Sequence, residues 1–95
     1  MTIPATGYMI QDKQGNAIFG IGETVDEAWA QVVDEAGPFF DINGDEKPAD
    51  VAFAEDFRVY GATVALMQKV RDHGGAITWD VVGGVACTVE ENEEA

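Results

Sequence analysis

Gly22-Glu23-Thr24-Val25-Asp26-Glu27-Ala28-Trp29 is where the chain changes period. Thr24 Oγ1 can accept from the Glu27 amide and the Glu27 carboxylate can reach back to the Thr24 amide, which makes the stretch a capping box. Asp26 and Glu27 stand in the first turn, where the end of a helix is positive. Val25, Ala28, Trp29, Val32, Val33 and Ala36 recur at helical spacing and give one apolar face. Gly37 and Pro38 stop the run. The spacing therefore predicts a helix over 24–36.

Upstream, Tyr8–Gln11 and Ala17–Ile21 read as strands joined by the turn Asp12-Lys13-Gln14-Gly15, with Asp opening it and Gly closing it. Downstream, Pro38–Pro48 reads as a loop around Asp41-Ile42-Asn43-Gly44-Asp45, held to the core by Phe39 and Phe40. Val51–Glu55 is ambiguous and compatible with a short helical turn; Phe57–Tyr60 suits a strand. A second helix is predicted from Ala62 to Asp72, with Thr63, Leu66, Met67 and Val70 inward, Lys69 and Arg71 in its last turns, and Gly74-Gly75 after it. Ala76–Val82 and Val85–Val89 flank Gly83-Gly84, a pair suited to a two-residue hairpin turn. Both faces of that hairpin are mixed, so its buried side stays open. The order β-β-α-(β)-α-β-β predicts an α+β fold: a small antiparallel sheet of two hairpins, with 57–60 as a candidate fifth, central strand, and both helices packed on one face. Residues 1–89 form one domain in this reading, and 90–95 a flexible acidic tail.

Eighteen acidic residues face five basic ones, a net charge of -13 on 95 residues, while 46% of the chain is hydrophobic. Such content builds a core and excludes a disordered acidic chain. Setting aside Glu90, Glu91, Glu93 and Glu94 still leaves 14 acids against 5 bases, a net -9 over residues 1–89. That much like charge repels itself and costs stability, of which a small domain has little to spare. It also repels nucleic acid, whose affinity for proteins comes from Lys and Arg on phosphate, and anionic membranes. A basic protein surface is the expected partner, met by a monomer or weak homodimer. Cys87 is the single cysteine, so no internal disulfide can form. Met1–Ala5 lacks the pattern of a secretory leader, and no apolar run approaches the length of a membrane span. A cytoplasmic protein is expected.

The chemical pattern that stands out is carboxylate placement. At 100° per residue, Glu23, Asp26, Glu27 and Asp34 fall within about a third of the helix circumference, opposite Trp29 and Val32, with Glu35 flanking the apolar stripe. The loop adds Asp41, Asp45 and Glu46. These eight carboxylates are the expected partner-binding surface, with Phe39 and Phe40 as its apolar anchors; the alternative is an ordinary solvated face, although such faces intersperse Lys with Glu. Other chemistry fits poorly. Around Asp41 the Gly falls fourth and Ala52 stands twelfth, against the sixth and twelfth positions a calcium loop needs for Gly and Glu. Gly20-Ile21-Gly22 would require a third Gly where Val25 stands, and Glu23 would face a pyrophosphate. The chain has no serine, and His73 and Cys87 are its only His and Cys, on separate elements. No catalytic, cofactor-binding or metal-binding residue is assigned, and no cofactor is expected.

Gly7-Tyr8, Asp12, Gly15, Gly20-Ile21-Gly22, Thr24 and Glu27-Ala28 resemble the N-terminal part of HicB-type antitoxins, in which a strand pair leads through a glycine turn and Thr-x-x-Glu-Ala into a helix. The resemblance covers residues 7–36. It implies a non-enzymatic domain that masks a small basic RNase toxin. Such antitoxins usually add a basic DNA-binding segment, and residues 57–95 offer none. In size, acidity and lack of catalytic groups the chain is also similar to the DNA-mimicking inhibitors of phages and other mobile elements, anti-CRISPR and antirestriction proteins among them. That likeness implies carboxylates standing where a target expects phosphates.

Overall fold

A computed structural model describes residues 4–15 and 17–94. The readings that rest on Met1, Thr2, Ile3 and Ala95 lie outside them. The fold is α+β, and its strands and helices run β1 (Gly7–Asp12), β2 (Ile18–Gly22), α1 (Val25–Ala36), β3 (Phe39–Phe40), β4 (Glu46–Lys47), α2 (Ala49–Asp56), β5 (Phe57–Ala62), α3 (Val64–His73), β6 (Asp80–Val82), β7 (Val85–Cys87) and α4 (Val89–Glu94).

The first hairpin forms as the sequence predicts. Asp12 Oδ1 accepts from the Gln14 amide at 2.9 Å, which sets the turn. Pairing runs Met9 to Ile21 and Ile10 to Gly20, then slips so that Gln11 meets Ile18 and Phe19 is bulged out. A bulge breaks the alternation of faces. Ile18 and Ile21 therefore join one core, while Phe19 packs in the other.

Helix α1 is capped by Thr24, whose Oγ1 accepts from the Glu27 amide at 3.1 Å. The reciprocal bond differs from the expected box: Glu27 Oε2 accepts from the Glu23 amide, not from that of Thr24. Gly20 lets the helix sit directly on β2, because a Cβ there would collide with the Ala28 carbonyl and the Val32 side chain. Close approach of helix to strand explains this glycine.

Two architectural expectations are corrected. The five-stranded sheet has the order β2-β1-β5-β7-β6, and β5 pairs with β7 in parallel, so the sheet is mixed rather than antiparallel. The cause is α3, which carries the chain away from β5 before it returns through β6 to β7. The candidate fifth strand does occupy the centre, over the longer span of β5. The helices do not share a face. Met9 packs with Leu66 and Met67 of α3, whereas its neighbour Ile10 packs with Ala28 and Val32 of α1. Adjacent strand residues point to opposite sides, so α1 and α3 sandwich the sheet.

Smaller differences follow from local chemistry. Thr63, expected in the inner stripe of the second helix, is its N-cap and accepts from the Leu66 amide at 3.1 Å. Val51–Glu55 belongs to the eight-residue α2. The loop 38–48 contains the two-stranded pairing of β3 with β4. Gly83 and Gly84 turn with positive φ as predicted, but β6 and β7 are three residues each. Residues expected as a frayed tail form α4, because Thr88 Oγ1 accepts from the Glu91 amide at 3.0 Å while Glu91 Oε1 accepts from the Thr88 amide at 2.9 Å. That is the reciprocal capping box.

Candidate functional site

On the α1 side of the sheet, Trp29 stacks on Phe53 with ring centroids 4.6 Å apart and on Phe39 at 5.6 Å, and meets Phe57 edge-on at 5.4 Å. One aromatic cluster thus joins α1, β3, α2 and β5. It gathers residues 23–56 into a single layer over one face of the sheet. That segment carries eleven acidic residues and one basic residue, Lys47. On the opposite side, α3 and the segment 63–79 carry Asp72 against Lys69 and Arg71, and α4, joined to α3 through Lys69–Glu90 and Thr63–Glu91, adds Glu90, Glu91, Glu93 and Glu94. Both sides are net acidic, and the larger share of the acids, with the fewest cations, lies on the layer built around the aromatic cluster.

Seven of the eight expected carboxylates are exposed: Glu23, Asp26, Glu27, Asp34, Glu35, Asp45 and Glu46; Asp41 is half-buried. Among the described residues, the ion pairs are Lys47 with Glu55 at 3.2 Å, Lys47 with Asp56 at 3.0 Å, and Lys69 with Glu90 at 3.6 Å. None of the eight takes part in them. The hydrogen bond that Lys47 Nζ donates to the Asp56 carboxylate holds the ammonium above its ordinary pKa against the opposing pull of desolvation, with Glu55 adding to the rise. The one cation of the layer is thereby turned inward.

Two of the eight also have structural duties. Glu27 closes the start of α1. Asp41 Oδ1 accepts from the Asn43 amide at 2.9 Å and the Asp45 amide at 3.0 Å, and Gly44 takes φ 84°. These bonds make an Asx-type turn. Among the described residues no group of three His, Cys, Asp or Glu side chains could hold a metal ion.

The apolar anchors divide. Phe39 lies inside the aromatic cluster, against Trp29 and Phe57, and is a core residue. Phe40 points the other way, 58% exposed, and pairs across the hairpin with Glu46. Ile42 at the tip of the turn is 100% exposed. Sequence reasoning passed over Ile42; the signal was an aliphatic residue inside a polar turn, where nothing local can cover it.

An open groove of about 1110 Å³ runs beneath this hairpin. Phe40, Ile42 and Val51 line it, together with Asp12 from the first turn and Glu46, Glu55 and Asp56. The lining of that groove includes neither His73 nor Cys87. His73 is exposed at the end of α3. Cys87 is fully buried in β7; burial pushes its thiol upward, and the Glu91 and Asp80 carboxylates add to the rise. A raised thiol is the opposite of an activated one. No helix among the described residues is long and apolar enough to cross a membrane. No protein-family model, curated protein or solved structure matches the chain.

Proposed function

We propose that the protein is a non-enzymatic inhibitor that occupies the nucleic-acid site of a basic partner by charge mimicry. The carrying observation is the concentration of uncompensated charge: eleven acids and one internally paired lysine on the layer that covers one face of the sheet. The proportions agree. The molecule measures 45 × 22 × 21 Å. Its 13 net charges along 45 Å amount to about one per 3.5 Å, close to the spacing of about 3.4 Å along a single DNA strand and about half the density of the duplex. A cleft lined with Lys and Arg focuses positive potential and steers such a body in quickly. Carboxylates then meet arginine forks as phosphates do. In this reading the protein works in the cytoplasm, in the manner of anti-CRISPR and antirestriction proteins, against a host defence complex or another nucleic-acid-binding protein.

The test is capture from the native host with salt elution, followed by competition with the purified captured protein. Duplex oligonucleotide and this chain should exclude one another, and association should slow sharply as salt rises. Simultaneous binding of both would overturn the reading.

A second reading is a HicB-like antitoxin. It is favoured by the strand pair β1–β2 leading through the Thr24 cap into α1, the arrangement that the resemblance of residues 7–36 implies. It requires a small basic RNase, encoded beside this chain, that the domain silences.

A further inference from the structure

We propose that the groove beneath the β3–β4 hairpin takes a cationic amphipathic segment of the partner, with Phe40 and Ile42 as its apolar seat. The proposal deepens the charge-mimicry reading and rests on it. Surface charge pairs are each worth little, so a coat of carboxylates gives speed and selectivity without tight binding. Tight binding needs a desolvated apolar centre inside a polar rim, and the β3–β4 hairpin of the acidic layer supplies one. Phe40 is 58% exposed and Ile42 fully exposed, at the lip of the same groove.

Their presentation is fixed in advance. Asp41 holds the turn through the Asn43 and Asp45 amides, and its own amide donates to the Asp45 carbonyl at 2.9 Å. A loop already held in its binding shape loses less entropy on docking. Behind it, Phe39 ties the strand to Trp29. The hairpin therefore stands as a rigid wedge with apolar residues at its free end.

The walls decide the sign of the occupant. Five carboxylates line the groove against Lys13 and Lys47. Lys47 is engaged by Glu55 and Asp56, and Lys13 Nζ donates to the Ala54 carbonyl at 3.4 Å. A nucleic acid or an anionic lipid surface would meet like charge, and so would a second copy of this chain. A segment that alternates arginine with leucine satisfies both wall and seat.

The test uses the whole chain and two synthetic peptides of equal length, one alternating arginine with leucine and one of arginine alone. Affinities are measured by fluorescence anisotropy and contact sites by amide NMR shifts. The amphipathic peptide should bind about tenfold or more tightly and perturb Phe40, Ile42 and Val51. Phe40→Ala and Ile42→Ser should each weaken it about tenfold while leaving the arginine peptide unchanged. Ile42→Ser guards against a folding artefact, since a fully exposed side chain has no packing to lose. Equal binding of the two peptides, silent substitutions, or no binding at all would each overturn the inference. Should the arginine peptide bind and be lost in Asp26→Asn, Asp34→Asn, Glu35→Gln while the apolar substitutions stay silent, the groove proposal falls and the broader charge reading stands.

Discussion

The Thr63 hydroxyl donates to Glu91 Oε1 at 2.6 Å, and this contact joins the caps of two helices. The same hydroxyl oxygen accepts from the Leu66 amide at the start of α3, and the same carboxylate oxygen accepts from the Thr88 amide at the start of α4. The Thr63 amide donates to the Ala86 carbonyl at 3.1 Å. Strand β5, strand β7 and the two helices that follow them are thereby pinned at one point.

Thr63→Val, which keeps the shape and removes the hydroxyl, should cost about 1–2 kcal/mol in urea unfolding, as loss of a helix cap does. Glu91→Ala should cost a similar amount. If the link is energetic, the double variant costs less than the sum, with a coupling of about 0.5 kcal/mol or more, the range for residues in one hydrogen-bond network. Additive costs would mean that α4 is merely adjacent.

This link also marks where sequence reading stops. Thr24-x-x-Glu27 was legible because an apolar helical stripe follows it. Thr88-x-x-Glu91 has the same spacing but leads into Asn92-Glu93-Glu94, so the cap looks like part of a solvated tail. Its helix is held by Thr63, far away in the chain, a contact no local pattern announces. The same limit hid the placement of α3. Periodicity showed that Leu66 and Met67 face inward, but only the pairing of β1 reveals that they meet Met9 while α1 meets Ile10 on the other side. In the candidate site, the exposed carboxylates of α1 follow from the helical wheel. The split between Phe39 and Phe40 does not, because two adjacent aromatic residues look alike until the β3–β4 register assigns each a side.

That split predicts two very different substitutions. Trp29→Ala removes the ring that touches Phe39, Phe53 and Phe57, and should cost about 3–5 kcal/mol. Phe40→Ala removes a largely exposed ring, and should stay within about 0.5 kcal/mol of the parent. Chemical denaturation of both variants checks this. Equal losses would mean that Phe40 belongs to the core and could not serve a partner.

Crowding of unpaired carboxylates on one layer should make the fold salt-sensitive. Raising sodium chloride from about 10 mM to about 0.5 M shortens the screening length severalfold and relieves repulsion among Asp26, Asp34, Glu35, Asp45 and Glu46. If the relief is worth about 1 kcal/mol, Tm should rise by about 4–8 °C for a domain of this size. Neutralising Asp34→Asn and Glu35→Gln should raise Tm at low salt and shrink the salt response. A Tm that falls with salt would show that attractive pairs dominate instead.

Glu90 supplies a pH prediction with a defined sign. Its own amide at the start of α4, and then Lys69 at 3.6 Å, hold its carboxyl below the ordinary value of 4.5. A carboxyl lowered in the folded state contributes stability above its unfolded value, and that contribution fades as pH falls through the lower folded value. The parent should therefore exceed Glu90→Gln in Tm at pH 7 by a gap that holds down to about pH 5 and closes below it. Titration of the other carboxylates moves both proteins together, so the difference between their Tm curves isolates this group. The Lys69→Met variant should remove the Lys69 share of the gap and leave the share due to the α4 amide, because that donor belongs to the backbone. A gap that widens in acid would reverse the sign and place Glu90 against a negative neighbour rather than against Lys69.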